Sequence, residues 1–414
     1  MKEEILNNLD NPQQLEKLYR KNKTLFKKDF NSIYTDIQEK QAAQIWNERL
    51  NFENEEIYWG TGRELIFVIV ASFIAWLIAK IPAFLSIKEE FFYPRNIAFI
   101  VFPILTVYFI WRQKLQAKKL VIIVAAILIS VIYMNLLPDN AESDTLQLAC
   151  IHMPLFLWAV LGYTFVGDNW RSCQKRLDFL RYNGDLIVLT TIILIAGAIL
   201  TGITIGLFSL IGVNINEFYF EYIVIGGLAA SPIVGTYLVL TNPHLVNKVS
   251  PIIAKVFTPL VLITLVIYLL VVIGIGKDPY NDRDFLLVFN MLLIGVMAII
   301  LFSIVETSSN TESKIGTLLL FGLSMVTVLI NGIAISAILF RISTWGITPN
   351  RLAVLGGNLL FFANLLLVTF KLFKVLKDRN EIWNVEKSIV SFLPIYSLWA
   401  FIVSFVFPLL FKFR

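Results

Sequence analysis

The sequence predicts an all-α polytopic membrane protein: a transmembrane helix bundle of about eleven spans behind a small N-terminal soluble helical segment. Three observations predict it. Apolar runs follow one another from Glu64 to the last residue, each near the ~20 residues that a helix needs to cross a hydrocarbon core roughly 30 Å thick. The runs are continuous rather than alternating, and in a bilayer only helices and closed barrels satisfy every backbone group, so the spans are helices. The chain is 57% hydrophobic and 16% charged, where a soluble domain carries roughly 25% charged residues.

Residues 1–63 stand apart as a polar segment. Asn11 is placed as an N-cap, Pro12 at the first helical position and Gln14 at the capping-box position. Leu15, Leu18 and Tyr19 share one helical face; Phe26, Phe30, Ile33, Tyr34 and Ile37 continue the period, followed by Ile45, Trp46 and Leu50. The reading is two or three amphipathic helices that form a small bundle or a docking module for a cytosolic protein partner. Ten Lys and Arg against eleven Asp and Glu make the segment nearly neutral, unlike a lipid-binding interfacial helix.

The spans read as 65–86, 96–111, 120–137, 145–166, 185–212, 219–241, 256–276, 285–305, 315–340, 351–371 and 389–411. The second is short and holds Pro103, which suggests a re-entrant or tilted element. With the first apolar run only near residue 65, the first span is read as an uncleaved insertion signal. Sixteen Lys and Arg fall in the loops on the N-terminal side against eight on the other, which orients the N-terminus inside and the C-terminus outside. The same loop placement explains the net charge of +5 without a nucleic-acid partner. The charged stretch Asp168–Asp185 is the best internal boundary, dividing a front subdomain, 64–184, from a back one, 185–414.

Polar residues within spans are costly and mark candidate sites. Lys80, His152, Glu221, Asn290, Asn331 and Asn358 all fall in the outer third under this topology, and Asn364 lies deeper. They define an outward-facing polar vestibule in which Lys80 pairs with Glu221 and His152 titrates. The competing reading has Lys80 snorkelling and the asparagines joining helices. Small residues four apart, Ala198, Gly202 and Gly206 in the fifth span and Gly227, Ser231 and Gly235 in the sixth, predict close helix packing. Pro232 in the second set predicts a kink or break. In the loop before the tenth span, Thr348 is an N-cap, Pro349 an N1 residue and Gly346 a tight turn, and Arg341 and Arg351 either contact an anion or headgroup or cap the helix ends.

The string Trp345-Gly346-Ile347-Thr348-Pro349-Asn350-Arg351 resembles an aromatic-Gly-x-Thr-x-x-Arg signature of bacterial polytopic membrane proteins of the domain-of-unknown-function 4153 family, with Trp345 where Tyr is expected. The resemblance implies a bacterial inner-membrane setting and no mechanism.

Enzyme signals are weak. The two histidines, His152 and His244, are far apart, and no metalloprotease, nucleophile-elbow or P-loop string occurs. Cys150 and Cys173 are placed toward opposite faces and form no pair or metal site. Nothing requires a metal or organic cofactor. Two function classes follow: a permease-like protein that binds or moves a small or amphipathic molecule, and a membrane scaffold or sensor that docks a cytosolic partner through residues 1–63.

Overall fold

A computed structural model describes residues 2–51, 60–242, 258–263, 265–267, 270, 280, 293–304, 314–377 and 382–414, except 22, 114, 141, 211 and 212. The chain divides into two compact units, Met1–Ile57 and Tyr58–Arg414.

The first unit is four helices: α1 (Lys2–Asn7), α2 (Pro12–Lys21), α3 (Lys23–Ile37) and α4 (Gln41–Asn51). Asn11 caps α2, its Oδ1 accepting the Gln14 N–H at 3.2 Å. The apolar period closes into a core around Phe26, Phe30 and Leu15, all fully buried. Tyr19, Phe26 and Trp46 meet ring to ring at 5.1–5.7 Å. Arg49 lies over the Trp46 ring at 4.7 Å and reaches Glu16 at 2.9 Å. The hydrogen bond from Arg20, helped by Arg49, holds the Glu16 carboxyl below its ordinary range.

The second unit is an all-α multi-pass membrane bundle. Among the described residues, nine helices are long and apolar enough to cross a membrane. In chain order the unit has α5 (Gly62–Ala79), the short α6 (Ile81–Leu85), α7 (Glu89–Gln113), α8 (Ala117–Leu136), α9 (Asp144–Val166) and α10 (Cys173–Leu210). A turn of helix α11 (Asn216–Phe218) and a π-turn, Tyr219–Val224, lead into α12 (Ile225–Thr241). Then come α13 (Leu293–Ile304), α14 (Lys314–Trp345) and α15 (Pro349–Lys377). The last span is composite: α16 (Ile382–Ser391), α17 (Leu393–Phe401), a second π-turn and α18 (Phe407–Leu410). About half of the expected seventh and eighth spans, with Asn290, lies outside the described residues.

Several expectations change. The second span is neither short nor re-entrant: α7 runs 25 residues straight through Pro94 and Pro103. Its start at Glu89 draws Arg95, read as an outer-loop charge, into the span. The stretch Asp168–Asp185 is no linker, because α10 begins at Cys173 and runs unbroken for 38 residues. Packing ignores the 184/185 boundary as well. One core joins α5, α7, α9, α10 and α12 around Ala75, Tyr108 and Ile233, so the fifth and sixth spans belong with the front. A second core joins α13, α14, α15 and α16 around Ile300, Ile330 and Val368. Helix α9 is common ground, packing on α7, α8, α10, α15, α17 and α18.

Of the small-residue stripes, Gly235 makes the close approach: an added Cβ would stand 2.8 Å from Thr190 Oγ1 and 3.0 Å from Leu186 Cδ1 of α10. Ser231 is also buried, at 3% exposure. Gly202, Gly206 and Gly227 have no described atom within 4 Å of an added Cβ, so none of the described residues packs closely on them. The spacing identifies a face that can be approached closely, and does not supply the neighbour. Pro232 does not break α12. It removes the N–H that would bond the Leu228 carbonyl, and the Ser231 hydroxyl donates to that carbonyl at 3.0 Å instead.

Gly235→Leu is expected to overpack the α10–α12 contact by about 1–3 kcal/mol and lower the melting temperature in detergent. Gly202→Leu and Gly206→Leu should leave it unchanged; equal losses at all three sites would contradict this assignment.

Candidate functional site

The intramembrane polar residues gather in two places. The first is the junction of α5 with the π-turn. Pro82 stops α5 from continuing, so the chain turns at Lys80, the residue shared by the end of α5 and the start of α6. The Lys80 side chain is 3% exposed, yet its ammonium is well supplied. Nζ donates to Glu221 Oε1 at 2.8 Å and to the Glu221 backbone carbonyl at 3.2 Å. It also stands 4.5 Å from the centre of the Tyr222 ring. The Trp76 indole donates to the Tyr222 carbonyl at 3.1 Å. Gly226 leaves room for that indole, since a Cβ there would come within 2.9 Å of it. The wider turn frees carbonyls from the α-helical ladder, and side chains from α5 take them up.

The second place is a cavity of about 340 Å³ walled by α9, α13, α15 and α17. His152 and Asn358 line it, with Tyr396, Ser397 and Trp399; the remaining walls are aliphatic and aromatic, and among the described residues no Lys, Arg, Asp or Glu lines it. His152 Nδ1 lies 2.9 Å from the Leu148 carbonyl, which can only accept. Nδ1 therefore carries the proton, and in the neutral ring Nε2 is left as an acceptor. The buried Trp399 Nε1–H has no hydrogen-bond partner among the described residues. Trp399 is fixed there by Gly356, where any Cβ would overlap its ring. The cavity thus suits a mostly apolar occupant and has the His152 ring among its few polar lining groups; the Trp399 N–H is itself sealed from it.

Asn331 and Asn364 join helices beside this cavity. Asn331 sits near the middle of α14 rather than in its outer third, and its Nδ2 donates to the Asn358 carbonyl at 3.2 Å. Asn364 Nδ2 donates to the Tyr396 hydroxyl at 2.8 Å. Lys80 and Glu221 do not line the cavity, so the expected single vestibule is two separate sites. Asn290 lies outside the described residues.

Beyond α14, Arg351 acts as a cap. Its Nη1 donates to the carbonyls of Trp345 and Gly346 at 2.9 and 2.7 Å, and Thr348 Oγ1 accepts the Arg351 N–H at 3.3 Å. Gly346 takes φ +78°, the left-handed turn that favours glycine. Arg341 stacks on the Trp345 ring at 5.2 Å.

Sequence reasoning missed the most heavily bonded cation, Arg95. At 3% exposure it donates to the carbonyls of Met134, Leu137 and Pro138 at 3.0–3.2 Å and meets Asp139 at 3.3 Å. Beside it Asn96 and Asn135 exchange amide hydrogen bonds at 2.9 Å. The acidic turn after α8, with no cation of its own, was the signal that an Arg had to come from elsewhere.

The chain matches no protein-family model, no curated protein and no solved structure. The function therefore rests on its own geometry.

Glu221→Gln should destabilise the protein by about 1–3 kcal/mol, because it leaves the buried Lys80 ammonium without its counter-charge; the half-exposed carboxylate keeps the loss below that of a fully buried pair. Lys80→Met is expected to be near neutral, since it removes the buried charge itself. Melting curves of both variants and the double variant check this: a double variant as damaged as Glu221→Gln alone would contradict it.

Proposed function

We propose that this membrane protein is permease-like and that its ligand is a small amphipathic molecule or lipid held in the cavity between α9 and α15. The observation that carries the reading is the cavity itself. About 340 Å³ of largely apolar space, lined by the His152 and Ser397 side chains and by no charged side chain among the described residues, suits an apolar body bearing one neutral polar group. Such a space inside a bundle of membrane-length helices is reached by molecules already dissolved in the bilayer.

The scaffold reading is less favoured. The Met1–Ile57 unit turns Phe26, Phe30 and Trp46 into its own core, and among its described residues the large exposed apolar side chains are Leu6 and Ile45. Two isolated residues do not make a docking groove. The bacterial inner membrane and the N-inside orientation are part of this proposal; they rest on the Trp345–Arg351 resemblance and on the loop charges.

Photolabelling checks the reading. A neutral diazirine-bearing long-chain alcohol, added to the protein in phosphatidylcholine vesicles, is expected to label α9 around Leu148–Leu155. Gly357→Leu, which puts a side chain into the cavity beside Trp399, should abolish most of that labelling. Lys80→Met should leave it intact. Full labelling of the Gly357→Leu protein would sink the proposal.

A further inference from the structure

A second cavity of about 340 Å³ opens along the other half of α9, and it shares Trp158, Leu393 and Ser397 with the first. The two lie on one helical face. Leu148, His152 and Leu155 line the first cavity, and Ala159, Gly162 and Val166 line the second. These six positions alternate steps of four and three, the repeat that keeps residues on one side of a helix. From Leu148 to Val166 the face runs about 27 Å at ~1.5 Å per residue, close to the roughly 30 Å hydrocarbon thickness.

The two ends differ in chemistry. Among the described residues the first cavity has no charged lining residue, whereas the second ends at Trp170 and Arg176. Arg176 donates to the Trp170 carbonyl through Nε and Nη2 at 3.1 and 2.9 Å, and to the Val390 carbonyl through Nη1 at 3.2 Å. Both acceptors are neutral, and Arg176 has no carboxylate partner among the described residues. Nearby Lys119 is instead paired with Asp168 at 2.8 Å. The mouth of the second cavity therefore holds a positive charge that meets helix-end carbonyls and no described carboxylate, beside a half-exposed Trp170. Between the cavities the Trp158 indole is latched by Asn183, whose Oδ1 accepts its N–H at 2.8 Å, and is backed by Phe179 at a ring distance of 5.2 Å.

We propose that the two cavities form one lipid track along α9, that its occupant is an anionic phospholipid with its headgroup at Arg176, and that Trp158 is the partition its acyl chain must pass to reach the His152 end. The inference rests on the ligand cavity proposed above. The headgroup meets the positive charge, the chain takes the apolar face, and an anionic phospholipid of the surrounding bilayer has both.

The test uses the full-length protein in phosphatidylcholine vesicles with phosphatidylglycerol carrying a diazirine at the tip of one acyl chain. In the unaltered protein the label should fall on Ala159–Val166. In Trp158→Ala, and in Asn183→Ala, which releases the latch without cutting into the wall, it should move to Leu148–Leu155. Arg176→Gln should reduce phosphatidylglycerol labelling roughly tenfold relative to the same probe on phosphatidylcholine. Equal labelling by the two lipids in the unaltered protein, or no shift in either Trp158→Ala or Asn183→Ala, overturns the inference. So does suppression of the label by oleate but not by unlabelled phosphatidylglycerol. If the neutral alcohol still depends on Gly357 in those cases, the proposed ligand cavity stands without the track; loss of that dependence removes both.

Discussion

The structure depends on cations that close the C-terminal ends of helices. The last four carbonyls of a helix have no partner within it, and near a hydrocarbon core water is a poor substitute. Arg95 of α7 supplies donors to the end of α8, and Arg351 of α15 to the end of α14. Lys119 at the start of α8 donates to Gly167, the cap of α9, at 2.8 Å. Arg176 of α10 reaches Val390 at the end of α16. In each case the charge also meets the negative end of the helix dipole. Because donor and acceptor lie on different helices, every such cap also sets the height of one helix against another.

The same requirement governs the interior. Ser231 replaces the donor that Pro232 lacks, and Lys80 and Trp76 take the carbonyls that the π-turn releases. Thr106, Ser130 and Thr164 return their hydroxyls to carbonyls one turn back. Against this background the exceptions are informative. The Trp399 indole and the Asn331 and Asn364 carbonyl oxygens are buried without a partner among the described residues. Of these residues, Trp399 alone borders the cavity between α9 and α15, although its N–H is sealed from the open space.

Much of the fold was legible because the bilayer makes length and hydropathy decisive. The nine described spans fall on apolar runs visible in the sequence, and the Asn11, Thr348 and Pro349 end signals mark real helix starts. What failed to read through is long-range. Charge near a span edge suggested a loop for Arg95, because nothing local reveals that the end of α8 lies beside it. The spacing of Gly202 and Gly206 matches that of Gly235, yet among the described residues a helix packs closely on Gly235 and none on the other two. Depth grouped Lys80 and His152 together, but depth says nothing of position around the bundle, and they belong to different sites. Trp158 and Trp399 drew no notice, and Arg176 counted only among the loop charges, since an aromatic in a span or a basic residue at its end is ordinary until its surroundings are known.

The π-turn at Tyr219–Val224 has a consequence for how this chain tolerates change in length. Such a turn accommodates one residue more than a regular helix does. Deleting a single residue there would restore the ordinary helical repeat and leave the flanking residues facing as before, with every side chain outside the turn intact. What would be lost is the wide turn itself, whose released carbonyls Lys80 and Trp76 take up. Conversely, a one-residue insertion elsewhere in the span has no ready place to be absorbed. In this span the count of residues, as much as their identity, holds a buried charge against its counter-ion.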